Sequence, residues 1–310
     1  MNKWILRFLL AIVIFSQAFC VNAAEKFRVA TYNLENYVDD PASKRPLKSE
    51  ASREKICENI QALNPDVIAV EEIGSLNLLM DLRERLSKRG LEYPEYEFVD
   101  GWDKNIYVAI LSKFPIVARR SHTNENYLLR GKRLNVSRGI GEIDIQVNEK
   151  YKFTMFVCHL KSKLAIGEAD EADMRLKEAE ILRELINARF TENPNANILV
   201  AGDFNDTKDS PSTRTILGRS NAKIGLVDTR PAEKNGDNLP SEKKGYPPRN
   251  ITWTHFFGKD DVYSRIDYIL LSKGMAKEWV GDETYVLAVP NWGLASDHRP
   301  IVATFEPEDK

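Results

Sequence analysis

Ile140-Gly141-Glu142-Ile143-Asp144-Ile145-Gln146-Val147-Asn148-Glu149-Lys150-Tyr151-Lys152-Phe153-Thr154-Met155-Phe156-Val157-Cys158-His159-Leu160 is the stretch whose reading decides the fold class. From Glu142 to Val147 polar and apolar residues alternate, the period of a strand with one covered face. From Phe153 to Leu160 the run is nearly all apolar, as in a strand buried on both faces. Asn148-Glu149-Lys150 between them is turn-like, so the two halves read as a hairpin. A hairpin in the middle of a chain that also carries helices does not fit a purely parallel, doubly wound sheet.

The flanks agree. Residues 168–190 form a long amphipathic pattern, and 197–201 a short central strand that delivers Gly202-Asp203. Upstream, 27–34 reads as a strand and 49–63 as a helix with Ile56, Ile60 and Leu63 on one side, ended by Asn64-Pro65. The apolar run 66–73 is a strand, 76–88 a second helix, and 107–111 with 116–118 two strands joined by Ser112-Lys113-Phe114-Pro115. Downstream lie a polar surface loop at 231–249 and strands at 251–257, 266–271, 285–289 and 301–305. The expected architecture is α/β, a four-layer sandwich of two packed mixed β-sheets flanked by helices.

Residues 1–23 read as an export signal: Lys3 and Arg7 are basic, 9–15 is apolar, and Val21-Asn22-Ala23 offers small residues for cleavage. Bulky Phe19 before Cys20 argues against lipidation. Residues 24–310 then form one domain, periplasmic or secreted, since no Gly/Ser-rich or Pro-rich linker divides them. Cleavage removes two of 44 basic residues and none of 46 acidic ones, leaving a net charge of −4. That balance disfavours a dedicated nucleic-acid binder, yet an enzyme acting on a polyanion needs only a local basic patch. Cys57 and Cys158 are expected to be two buried thiols.

Asn33, Glu72, His159, Asp203, Asn205, Asp267, Asp297 and His298 each stand at the end of an apolar strand or beside one. Taken singly, an Asp or Asn there is an ordinary turn or cap residue, and His159 a core histidine. Together they describe one polar rim. Carboxylates with an Asn carbonyl suit magnesium or manganese, and the chain has no Cys/His cluster for zinc.

Six segments in order, Thr31-Tyr32-Asn33-Leu34, Val70-Glu71-Glu72-Ile73, His159-Leu160-Lys161-Ser162-Lys163, Gly202-Asp203-Phe204-Asn205, Arg265-Ile266-Asp267-Tyr268 and Ser296-Asp297-His298, resemble the endonuclease/exonuclease/phosphatase superfamily. The resemblance runs from Phe27 to Phe305 and is similar to the deoxyribonuclease I-like branch. It implies that Glu72, with Asn33 and Asp297, holds Mg2+ or Mn2+. Asp203 and Asn205 would position the attacking water and the phosphate, or hold a second ion. Asp267 would orient His298, and His159 would protonate the leaving oxygen. Arg138, Lys161 and Lys163 would contact substrate phosphate. Glu71 stands where relatives often carry Gln, which leaves open which glutamate faces the metal.

The function so implied is an exported metal-dependent phosphodiester hydrolase, foremost an endonuclease on DNA or RNA, acting as a monomer without an obligate protein partner. A sphingomyelinase-like or inositol-phosphate hydrolase, with a phospholipid or inositol phosphate as substrate, is the rival; the 290–294 loop with Trp292 would touch the membrane in that case. A noncatalytic secreted binder on the same scaffold is the third reading. Substrate choice is expected to lie in the loops 125–137 and 231–249.

Overall fold

The computed structural model describes residues 26–234 and 252–310. The expected export signal, and most of the polar 231–249 segment, lie outside the described residues. In chain order the first strands are β1 (Phe27–Tyr37), β2 (Val67–Ile73), β3 (Glu95–Val99), β4 (Tyr107–Ser112) and β5 (Ile116–Arg119). Next come β6 (Asn126–Leu129), β7 (Lys132–Asn135), β8 (Ile140–Gln146), β9 (Lys152–His159) and β10 (Ile198–Asp203). The later strands are β11 (Val227–Asp228), β12 (Ala232–Glu233), β13 (His255–Phe257), β14 (Val262–Ser264), β15 (Asp267–Leu271), β16 (Trp279–Val286) and β17 (Ile301–Phe305). Four helices accompany them, α1 (Glu50–Leu63), α2 (Leu76–Ser87), α3 (Glu171–Glu192) and α4 (Pro211–Leu217). Ser49, Ser75, Asp170 and Ser210 start these helices, each side chain accepting a backbone N–H of the first turn.

Two mixed sheets result. One runs β12-β16-β17-β1-β2-β4-β3 and the other β11-β15-β10-β9-β8-β5. Alternate residues of their strands meet in the central core, where Val29, Ala69 and Ile110 of the first sheet share one cluster with Ile143, Val157, Ala201 and Ile269 of the second. The opposite faces are covered by helices. Ile56, Ile60 and Leu82 of α1 and α2 pack on Ala30, Ile68 and Val70, while Leu182 and Ile186 of α3 and Ile216 of α4 pack on Phe156 and Val200. The architecture is thus the expected four layers. Cys57 lies in α1 and Cys158 in the second sheet; both are free, buried thiols.

Several elements depart from the sequence expectation. The segment 125–137 is not an open loop: β6 and β7 pair through Arg130 and Gly131, whose φ angles of 49° and 80° make a tight two-residue turn. Tyr127 and Leu134, opposite each other in the ladder, are the hairpin's buried residues, but strands of four residues each are too short to show an alternation. The strand expected at 285–289 begins much earlier, because β16 pairs with β17 from Trp279 and bulges between Val280 and Tyr285 over Gly281-Asp282-Glu283. Among the described residues of the expected 251–257 strand, only His255–Phe257 is in a ladder, as half of a small hairpin with β14. The short helix α4 has no counterpart in the sequence expectation.

Candidate active site

Strand register assembles the rim. In the second sheet β10 runs parallel to β9 with Asp203 opposite His159, and antiparallel to β15 with Asp203 opposite Asp267. One row across three strands therefore carries His159, Asp203 and Asp267. In the first sheet β1 pairs in parallel with β2, Asn33 opposite Glu71. Asn33 Nδ2 crosses to the second sheet and donates to Asp203 Oδ2 at 3.0 Å. The two sheets thus meet at their polar ends through a hydrogen bond rather than through apolar packing.

The tight approach of β10 to β9 depends on Gly202. Its φ is 130°, and a Cβ there would lie 2.0 Å from the Cys158 carbonyl oxygen. Beyond it, Asn205 (φ 53°) folds back: its backbone N–H donates to Asp203 Oδ1 at 2.7 Å, and its Nδ2 to Asp203 Oδ2 at 3.2 Å and to Leu160 O at 3.0 Å. Asn205 therefore holds the Asp203 carboxylate in place.

Asp203 Oδ2 is the focus of the site. Besides the two amide donors, His159 Nε2 lies 3.5 Å from it and His298 Nε2 3.8 Å. Burial, then the negative charge of Asp267, pushes its pKa up to about 7. His298 behaves in the opposite sense to a buried imidazole. Burial would lower its pKa, but the Asp267 carboxylate, receiving Nδ1 at 2.9 and 3.0 Å, and the charges of Asp203 and Asp297 hold it well above its ordinary value. The ring is charged at neutral pH. His159 is held well below its ordinary value by burial and by the cations Arg138, His298, Arg45 and Lys161, so it is neutral. Its Nδ1 is buried without a hydrogen-bond partner.

The question of the two glutamates has a geometric answer. A register shift on both sides of β2 gives Glu72 a φ of 64° and turns its side chain to the rim. There Glu72 Oε2 accepts the Asn36 N–H at 2.8 Å, while Oε1 is 3.4 Å from Asn33 Nδ2 and 3.8 Å from His159 Nε2. Glu71 points between the sheets, fully buried, and accepts from Thr31 Oγ1 at 2.8 Å. Burial raises its pKa well above the carboxylate range, leaving a neutral acid of nearly the shape of Gln.

Ser296 fixes the closing turn. Its hydroxyl donates to Asn33 O at 2.8 Å and accepts the His298 N–H at 3.0 Å. Asp297 is half-exposed beside the imidazoles, 3.6 Å from His255 Nε2 and 3.8 Å from His298 Nε2. The groups of three whose ligand atoms cluster among the described residues are His255, Asp297, His298 and Asp203, Asp267, His298; Glu72 belongs to neither. Asn33 Oδ1 accepts the Glu35 N–H at 3.0 Å, so its amide nitrogen, not its oxygen, faces the carboxylates.

Of the three cations expected at phosphate, two line the site and one does not. Arg138 is buried, with Nη1 3.3 Å from Leu160 O and Nε 3.7 Å from Asp103. Lys161 is buried too, and Nζ staples its own loop through Ser162 O at 3.0 Å and Leu164 O at 2.7 Å. Lys163 is instead a surface charge, its side chain 62% exposed and 4.0 Å from Asp206. Its neighbours Ser162 and Leu164 line the groove, but the Lys163 side chain does not. Trp292, expected on the 290–294 loop, is half-buried and packs edge-on with Trp253 at 5.0 Å between ring centres.

Known proteins share this arrangement of strands. A family model described as "Endonuclease/Exonuclease/phosphatase family" matches residues 30–298. The chain belongs to that family. Among curated relatives it is 25% identical over 292 residues to the protein named "Probable CCR4-Not complex 3'-5'-exoribonuclease subunit Ccr4" of Encephalitozoon cuniculi, covering 84% of this chain and 57% of that one. The chain thus spans little more than half the length of that relative. Among solved structures, truncated Caenorhabditis elegans TDP2 matches with a TM-score of 0.60 and 16% identity over 91% of this chain and 97% of the other. The human Nocturnin catalytic domain matches with a TM-score of 0.60 and 19% identity over 90% and 94%. At these identities the two structures show a shared fold.

This member of the Endonuclease/Exonuclease/phosphatase family also carries site residues that the sequence pattern does not single out. Thr254 Oγ1 donates to Asp267 Oδ2 at 2.6 Å and accepts the N–H groups of Ile266 and Asp267. His255 lies against His298 with the rings tilted at 46° and their centres 4.5 Å apart. Glu35 accepts the Asp297 N–H and faces Lys48. Thr254 and His255 open a strand-like stretch, the same placement that marks the other eight, but β13 is too short to show a period and a threonine hydroxyl there is unremarkable by itself.

Proposed function

We propose that this protein is an exported, metal-dependent phosphodiesterase whose substrate is a nucleic acid, cleaved by water attack on phosphorus. The observation that carries the reading is the placing of His298 Nε2 3.8 Å and His159 Nε2 3.5 Å from Asp203 Oδ2, with Asp267 2.9 Å from the other nitrogen of the His298 ring. Asp203 can take a proton from water, and His298, held in tautomer and charge by Asp267, can donate to a phosphoryl oxygen. Neutral His159 offers a hydrogen bond to the leaving oxygen. Asn205 and Asn33 keep Asp203 aligned.

The oxygen donors at the rim suit a hard cation. Glu72 would hold Mg2+ or Mn2+, with Asp297 as a further carboxylate and Asn33 joining only with its amide turned over. Bound there, the ion would neutralise charge on the phosphoryl oxygens and make water easier to deprotonate. Nucleic acid is favoured over a lipid by the basic groove that continues from Glu72 past Arg45, Arg138 and Lys161, and by the printed activity of the Encephalitozoon relative. Export rests on the reading of residues 1–23.

The test offers the purified protein supercoiled plasmid, single-stranded RNA, sphingomyelin and an inositol phosphate in parallel, with chelator and then with added magnesium. Cleavage of plasmid or RNA that chelator abolishes and magnesium restores is the expected result. Release from the lipid or inositol phosphate alone would overturn the nuclease assignment, and chelator-resistant cleavage the metal assignment.

A further inference from the structure

A groove of about 770 Å³ begins at Glu72 and runs away from the Asp203 row. Its lining includes Arg45, Lys132, Arg133, Arg138 and Lys161 against the acids Glu72, Asp103 and Glu168. In a chain with an excess of acidic residues this is a local reversal of charge. On its wall stands Trp102, 65% exposed, more so than any other aromatic side chain among the described residues. Leu164 and Ile166, 74% and 45% exposed, border the same groove.

The exposure of Trp102 is not the result of a slack loop. A Cβ on Gly101 would lie 2.6 Å from the Arg138 carbonyl carbon, so the loop lies flat against the strand-entry segment that carries a site arginine. On the other side Asp103 N–H donates to Ser137 O at 2.7 Å, and the Asp103 carboxylate receives Arg45 at 3.3 Å and the Asn105 N–H at 2.9 Å. Lys104 Nζ closes back on Gly101 O at 3.1 Å. The backbone that carries the indole is therefore held between two anchors, and the ring stands out from it into the groove.

Cations alone would serve any phosphate. An exposed indole among them serves a chain of phosphates that also offers free π faces, which is single-stranded nucleic acid. A duplex keeps its base faces stacked and presents backbone and base edges, and a lipid headgroup or inositol phosphate has no aromatic face. We propose that the groove is a binding track for single-stranded nucleic acid, with a base stacked on Trp102 and flanking phosphates on Lys132, Arg133 and Arg138. The proposal rests on the nuclease reading above and narrows its substrate.

Two measurements separate the failure of one from the failure of the other. In the first, chelator is present and a fluorescently labelled single strand, or the same strand annealed to its complement, is titrated with the full chain. Trp102→Ala is expected to weaken single-strand binding about tenfold, within the range for loss of one stacked base, and Trp102→Phe to restore part of it, with duplex binding unchanged. Equal single-strand affinity for wild type and Trp102→Ala, or no single-strand binding by the wild type, overturns the track. In the second, with magnesium, Trp102→Ala is expected to raise KM for the single strand while leaving turnover of bis(4-nitrophenyl) phosphate intact. A wild type that binds the strand through Trp102 but cleaves only non-nucleic esters would sink the nuclease reading and keep the track.

Discussion

His298 and Asp267 set the alkaline limit of the site. The imidazole is needed charged, and its pKa is raised chiefly by the Asp267 carboxylate against the opposing effect of burial. Activity should therefore persist above the ordinary range of a histidine and fall only in alkali. Asp267→Asn removes the charge while keeping the shape. The alkaline limb of the kcat profile is expected to move to lower pH, with kcat at neutral pH lower by about 10²- to 10⁴-fold. An unmoved limb would detach His298 from it. Glu71 makes a second case at this scale. Buried and held neutral, it has a folded-state pKa raised above its unfolded value, so the native state binds the proton more tightly and wild-type stability declines as pH rises beyond the carboxylate range. Glu71→Gln escapes that decline. Urea melts should show equal stability near pH 4 and a growing advantage for the variant toward neutrality, by ~1.4 kcal/mol for each pH unit of the window crossed. A variant that is less stable at neutral pH would show that Glu71 is ionised in the fold.

At the scale of elements, the site depends on three adjacent strand ends being level, and Gly202 is where that levelling is most sensitive. Gly202→Ala places a methyl 2.0 Å from the Cys158 carbonyl at a φ of 130°, so β10 must withdraw from β9 and carry Asp203 away from His159. The expected outcome is a loss of ~3 kcal/mol or more in urea denaturation together with loss of turnover; a stable variant with normal kcat would mean that the row tolerates a shift. The same strands explain what was legible in the sequence. The runs ending at His159 and Asp203, and the one beginning at Asp267, are buried on both faces, so apolar composition marked them and singled out the polar residue at the end of each. Strand β1 and the β2 bulge were half legible: the strands were visible, but the turn of the backbone that sends Glu72 outward and Glu71 inward depends on pairing with β1 and β4 and has no local signature. The β6–β7 hairpin was hidden because its strands, four residues each, are too short to show a period, and Thr254 and His255 because their order comes from contacts with Asp267 and Asp297 rather than from a period.

Across the whole molecule, charge is distributed so that binding of a polyanion is confined to one place. The chain is net acidic, and many of its basic side chains are already paired on the helical faces, as Arg85 is with Glu50, Glu54 and Asp81, and Arg89 with Glu54. The groove at Glu72 is different, for Lys132 and Arg133 carry no ion pair among the described residues, and Arg45 and Arg138 share the single carboxylate of Asp103. Bound phosphates can therefore be met by no more than the five groove cations. Each neutralised phosphate of a single strand contributes about 0.7 to the slope of log affinity against log salt, so the slope for oligonucleotide binding should not exceed about 3.5 in magnitude. One substitution in the groove and one outside it check the assignment. Arg133→Ala should reduce the slope by about 0.7, whereas Lys163→Ala, out in solvent beside Asp206, should leave it unchanged. Titrations at a series of salt concentrations measure both, and a steeper slope that falls equally in the two variants would show that the polyanion is held by a diffuse surface field and not by the groove.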